Sequence, residues 1–378
     1  MYRALARTVW NFLWLWKYTT KRRPVVNRCY ARLFRATDRR IFRRLRFFIF
    51  SDGDIVKLRR IDMDIPQSAR DQIRKYLGGE TGAFLSKIGG RIGKYSNEWR
   101  LSGLSFMPTN TINLLYACES EIYGPCVLKL CIPGPEVETE AMCLRFYDGR
   151  GYCKLWAFDL TDDALLLERI APGDQMWAVA DYYERARLFG EMLKCLPLPY
   201  DGPVKFPTYL SWMDGIRGKL IEMGGLGDVL FFLDEAIGVY SGLKQRHKKE
   251  CLLHGDLHQE NMLLDSNGRY AVIDPKGVVD APVMECARFL MNEVPCDEGR
   301  IREMAAIIGS IAGFSAEDII SAMFVDAALG QSWCMEEHYE TEDAFEAARR
   351  TALETCGYVW ELLKNDPFAA ARINGRDR

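Results

Sequence analysis

Apolar residues in this chain fall in short runs between turn residues through the first half and at helical spacing through most of the second. Residues 66–92 carry the helical pattern. Residues 99–115 read as strand, loop, strand, with SFMPTNT in the middle. CVLKL at 126–130 is a short apolar run interrupted by one lysine, which predicts a buried strand. EVETEAMCLRFY predicts a helix, and KLWAFDL and ALLLERI predict two strands joined by a turn at Thr161, Asp162 and Asp163. PGD at 172–174 predicts the start of a helix running to about Lys194. A proline-rich connector, LPLPYDGPVKFP, precedes a helix over about 228–246. Leu252 and Leu253, then HGDLHQEN, then Met262, Leu263 and Leu264 predict strand, polar loop, strand. YAVID is a further strand, and helical sequence follows to the end. The pattern divides the chain into a strand-rich part with leading helices, residues 63–170, and a helical part, residues 171–378.

Composition adds that the chain packs a core: 48% of residues are hydrophobic and 27% charged. The formal net charge of -2 conceals an asymmetry. Residues 1–60 hold 17 Lys+Arg and 3 Asp+Glu, net +14, so the remainder holds 33 and 49, net -16. The acidic part attracts cations and repels nucleic acid. Residues 1–62 mix arginine with aromatics, as in VWNFLWLWKYTTKRR. Their apolar run from Val9 to Trp16 is far short of the ~20 residues a helix needs to cross a bilayer. Three readings stay open: peripheral contact with an anionic membrane, a disordered arm, or a non-native extension ahead of a domain start at Met63. Twelve cysteines without a CxxC pair, and four histidines, do not supply the usual zinc spacing. Without a secretory signal pattern, the expectation is a cytoplasmic protein with reduced thiols.

Five positions carry candidate chemistry. Lys129 sits inside VLKL, where a buried ammonium is costly unless paired. Glu140 lies eleven residues on, within the predicted helix, and is the obvious partner; the alternative is a solvent-facing lysine on an edge strand. Asp256 and Asn261 share one polar loop, and Asp274 ends YAVID. An asparagine and a strand-end carboxylate suit Mg²⁺, which takes few protein ligands plus water and phosphate. Asp256 is then free to accept a proton. Together these are the parts of phosphoryl transfer. His254 and His258 read as loop-holding residues, and Lys276 as a salt-bridge partner.

HGDLHQEN followed by VIDPKGVV resembles the aminoglycoside/hydroxyurea antibiotic resistance kinases, the group of the streptomycin 6-phosphotransferases. The likeness extends to VLKL, ETEAMCL and ALLLERIAPGD and covers about residues 65–363. It implies an α+β, protein-kinase-like fold with a β-rich N-lobe and a helical C-lobe. It implies Asp256 as catalytic base, Asn261 and Asp274 as Mg²⁺ ligands, and Lys129 with Glu140 as the pair that holds phosphate. It implies a hinge at LLLER, with backbone near Glu168 meeting the adenine of ATP. The chain departs from the kinase pattern in its phosphate loop, where SGLSFMPTNTIN has only Gly103. Ser105, Thr109 and Thr111 are the side chains that could donate instead, and GTP remains an alternative to ATP. Asp280 and Met284 replace a glycine and a tyrosine expected in the group.

The short stretch from Asp274 to Glu285, with Pro275 in place of a mobile aromatic, disfavours a protein substrate. A catalytically dead kinase fold that binds partners through its basic arm is a third class, against which every chemical group is present. For the acceptor, Glu336, Glu337 and Glu340 in CMEEHYETEDAFE are either a solvated helix face or an acidic wall for a polycation such as streptomycin. Trp333 beside them could stack on a guanidinium.

Overall fold

A computed structural model describes residues 65–108, 111–294, 297–337, 339 and 341–365. The basic extension lies outside them. Three helices lead: α1 (Gln67–Leu77), α2 (Thr81–Ser86) and α3 (Ile88–Glu98). Then come β1 (Leu101–Phe106), β2 (Leu114–Ser120), β3 (Gly124–Leu130), α4 (Glu136–Tyr147), β4 (Leu155–Asp159) and β5 (Ala164–Glu168). The strands form one antiparallel sheet in the order β1-β2-β3-β5-β4.

Strand alternation gives this sheet two faces with different jobs. Cys126, Leu128 and Leu130 of β3, with Ala164 and Leu166 of β5, form one core with Ile73, Ile88, Ile92 and Tyr95 of the leading helices. Leu165 and Leu167 of β5 join the other core, with α4 and the helical lobe. Lys129 belongs to that second face, opposite Leu115 on one side and Leu165 on the other. It is therefore on a central strand, and the edge-strand alternative falls. Arg91 and Lys94 of α3 bind the β4–β5 turn, Lys94 through Asp159 at 2.7 Å.

After β5 the chain enters the helical lobe through β6 (Pro172–Gln175), then α5 (Tyr182–Cys195), β7 (Leu198–Pro199), α6 (Tyr209–Met223) and α7 (Gly227–Arg246). Here two expectations are corrected. PGD is strand, because Pro172 pairs with Asp265 across a small sheet; the helix begins only after Asp181, whose side chain caps it. A second correction is α6, a helix the pattern did not show; Thr208 and Ser211 close a capping box at its start. The loop strands follow: β8 (Cys251–Leu253), β9 (Met262–Asp265), β10 (Tyr270–Val272) and β11 (Val278–Asp280). Then α8 (Cys286–Met291), α9 (Glu298–Ala312), α10 (Ala316–Cys334) and α11 (Glu342–Lys364) complete the lobe. Among the described residues no single helix is long and apolar enough to cross a membrane.

Candidate active site

HGDLHQEN spans the gap between β8 and β9, and buried polar groups hold it in place. Glu285 accepts hydrogen bonds from the backbone N–H of His254 (2.7 Å) and Gly255 (3.1 Å). Burial pushes the Glu285 carboxyl up to about 7, against the pull of those two N–H groups. Gln259 donates to Glu293 (2.8 Å), which Arg185 clamps from the other side (2.9 and 2.7 Å). His254 donates through Nε2 to the Ile273 carbonyl (2.7 Å) and accepts at Nδ1 from Asp256 N–H (3.2 Å). Burial lowers its pKa to about 4, which keeps the ring neutral in that arrangement. His258 caps the 3-10 turn that follows, accepting from Glu260 N–H. Both histidines thus hold the loop.

Gly255 is required where it stands. Its φ is +79°, and a Cβ there would lie 2.8 Å from Val278 Cγ1 and 3.1 Å from Trp212 Cη2. Trp212 of α6 consequently stands directly beside the loop.

The structure bonds three of the expected groups, Lys129, Glu140 and Asp274, into one cluster and ties a fourth, Asn261, to the fifth, Asp256. Lys129, 3% exposed, donates to both oxygens of Glu140 (2.8 and 2.7 Å) and to Asp274. Burial disfavours its charge, but Asp274 and Glu140 outweigh that and raise its pKa well above the ordinary lysine value. Asp274 follows β10 in a left-handed backbone conformation, φ +59°, unusual for a residue with a side chain. Its enclosure works against ionisation, yet Lys129 holds the carboxyl down at about 2. The side chain remains 44% exposed and so is reachable by a cation. Asn261 donates Nδ2 to the Asp256 carbonyl (3.0 Å), which leaves its Oδ1 free to face a cation. An ionised carboxylate and an amide oxygen fit Mg²⁺, and no cluster of three or more His, Cys, Asp or Glu forms a metal cage among the described residues.

Other expected residues are placed as follows. Ser105 is exposed on β1, next to a bulge at Gly103 (φ +63°). Thr111 accepts from Asn113 N–H (3.2 Å), a local turn contact. Thr109 and Glu340 lie outside the described residues. Glu168 ends β5; its carboxylate accepts from Lys154 N–H (3.0 Å), and the chain crosses to the other lobe just beyond it. Lys276 pairs with Glu136 (2.5 Å). Asp280 is buried and accepts from Tyr209 N–H (3.0 Å) and Tyr240 O–H (2.9 Å), which explains an aspartate there. Glu336 pairs with Lys219 (2.5 Å), and Glu337 lies beside it in an open groove of about 670 Å³.

Sequence reasoning missed three groups: Trp212, Arg288 and Asp326. Trp212 meets Trp333 edge to face, ring centroids 5.5 Å apart. Arg288 of α8 lies 3.4 Å from Asp256 and 3.2 Å from Asp326 of α10. A GD dipeptide ahead of Asn261 was the visible signal; nothing in the spacing linked it to positions 288 or 326.

A sheet lobe bearing a lysine–glutamate pair, over a helical lobe bearing this loop, defines a protein-kinase-like phosphotransferase. A family model for the aminoglycoside/hydroxyurea antibiotic resistance kinases matches residues 109–337, and the chain belongs to that family. It is accordingly a small-molecule phosphotransferase with an alcohol-type group as acceptor. Relatives include a hydroxyurea phosphotransferase of Kitasatospora aureofaciens, 26% identical over 62% of this chain and 71% of that one. A streptomycin 3''-kinase of Klebsiella pneumoniae is 24% identical over 53% and 76%. A streptomycin 6-kinase of Streptomyces glaucescens is 22% identical over 58% and 72%. In fold the chain is similar to a choline/ethanolamine kinase family protein from Mesorhizobium loti (TM-score 0.52, 15% identity, 71% and 90% covered). It is similar too to an amicoumacin kinase solved with AMP-PNP, Ca²⁺ and its antibiotic (TM-score 0.50, 14%, 70% and 92%).

Proposed function

We propose that this chain transfers the γ-phosphoryl group of ATP, with Mg²⁺, to a hydroxyl of a cationic aminoglycoside, streptomycin first. In this reading Asp256 takes the proton of the acceptor hydroxyl as its oxygen bonds to the γ-phosphorus. The bond from that phosphorus to the β–γ bridging oxygen breaks, and ADP leaves. Lys129, fixed by Glu140, steadies the nucleotide phosphates. Asn261 and Asp274 would hold Mg²⁺, which neutralises charge on the phosphates when bound. Backbone beyond Glu168 would meet the adenine. Ser105 and Thr111 are the described side chains of the phosphate-loop stretch that could donate to phosphate, since the Thr111 hydroxyl accepts from Asn113 N–H and keeps its own proton to give.

The observation that carries the acceptor class is an aromatic pair that starts at the Asp256 loop and an acidic groove farther along the same helices. Trp212 adjoins the loop and Trp333 packs edge to face on Trp212. The groove lined by Met335 and Glu336 gathers Glu222, Glu336, Glu337 and Glu342 against one cation, Lys219. A guanidinium or ammonium gains from both, by stacking and by field. Labelled phosphate transfer from ATP to streptomycin, hydroxyurea and small amino-alcohols tests this. Streptomycin phosphorylation is expected. Turnover of another acceptor with streptomycin untouched at about millimolar levels would leave the kinase and remove the drug.

A further inference from the structure

Phosphoryl transfer by an aspartate base needs one carboxylate oxygen turned to the acceptor and kept there. Asp256 is 30% exposed, and its own loop gives its side-chain oxygens no hydrogen bond; the nearest loop group, His258 Nε2, is 4.0 Å from Oδ2. What the carboxylate does have is a cation from elsewhere in the lobe. Arg288 Nε lies 3.4 Å from Asp256 Oδ1 and 3.2 Å from Asp326 Oδ2. Neither Arg288 Nε nor Asp326 Oδ2 makes a hydrogen bond of good geometry, although both atoms are buried. Arg288 is a guanidinium poised between two carboxylates rather than part of a saturated structural bridge.

The surroundings are shaped for that guanidinium. Asp326 is 2% exposed on α10, in the interior of the lobe. Burial pushes its carboxyl up to about 6, with Arg288 pulling the other way. One turn on, Gly330 leaves room: a Cβ there would stand 3.1 Å from Arg288 Nη2. A buried aspartate whose charge is met by one guanidinium is an expensive feature to keep for packing alone.

We propose that Arg288, backed by Asp326, is the positioning residue for Asp256: it engages Oδ1 and leaves Oδ2 for the acceptor hydroxyl. This rests on reading Asp256 as the base. Asp326 sets how firmly Arg288 leans on the base, because a guanidinium shared with a second carboxylate orients the first without sealing it off. The acceptor proton still goes to Asp256, and Arg288 neither gains nor loses one.

A double-mutant cycle between Arg288 and Asp256 tests the pairing. Transfer is followed with the fastest of streptomycin, hydroxyurea and water as acceptor, water being read as ATP hydrolysis. Arg288→Met is made with Asp326→Asn, so that no lone charge is left buried. We expect kcat to fall by about 10- to 100-fold, KM for ATP to stay within about twofold, and Arg288→Lys to recover part of the rate. In an Asp256→Asn background the same Met/Asn pair should cost nothing further. An equal fall in both backgrounds, or wild-type turnover without Arg288, overturns the proposal. Normal turnover by Asp256→Asn alone would instead overturn the base reading, and this inference with it.

Discussion

Lys129 is the residue on which both lobes depend, because it joins a sheet strand, helix α4 and the strand-end Asp274. Lys129→Met would leave two carboxylates without their cation, at a cost of about 3–5 kcal/mol; denaturant unfolding should show that loss beside weakened ATP binding. Asp256→Asn should leave fold and nucleotide binding intact and lower kcat by roughly 10²–10⁴-fold, read by steady-state kinetics. Asp274→Ala should abolish metal-dependent nucleotide binding and Asn261→Ala should weaken it, by calorimetry with and without Mg²⁺. Glu285 supplies a pH test. Its carboxyl is raised from 4.5 to about 7, mainly by burial. The folded state therefore binds more protons than the unfolded one across that window. Stability from this group is present below pH ~4.5 and lost as pH rises through ~7, by on the order of 3 kcal/mol. The Glu285→Gln variant lacks that slope. Its stability deficit against wild type should be largest near pH ~5 and smallest near pH ~8; equal deficits would show that Glu285 ionises normally.

Among the elements, those with one dominant signal were legible. Residues 136–147 form the expected helix and Cys126–Leu130 lie within β3, because an apolar strand and an acidic helix start compete with nothing local. Helix α6 was not legible: Gly215 and Gly218 interrupt it and it follows a proline-rich connector, so its capping box and its packing decide. PGD misled because proline often opens helices, whereas here a strand partner nearly a hundred residues away claims it. Motif residues at the site were legible within single loops and strand ends. Arg288 and Asp326 were not, since only the crossing of α8 and α10 beneath the loop makes them neighbours. Gly255→Ala tests the close approach of α6 to that loop. The strained φ and the Val278 contact should cost about 1–3 kcal/mol and lower kcat with it, checked by melting and kinetics together.

At the scale of the whole molecule, the leading helices cover the outer face of the sheet although they precede the span matched by the family. A chain starting at Met63 should fold and turn over as the full chain does. One starting at Arg100 should expose Tyr116, Leu128 and Leu166 and aggregate, as size-exclusion chromatography would show. The segment after Asp274 has a wider consequence. Lys276 and Gly277 N–H both bind the His254 carbonyl (2.9 and 3.1 Å), and Val278–Asp280 pairs with β8 at once. No stretch there is long enough to swing, so phosphorylation has nothing to throw from off to on. Control through a swinging, phosphorylated segment at this place is closed to such an enzyme, because the backbone that would have to move is already engaged in holding the catalytic loop.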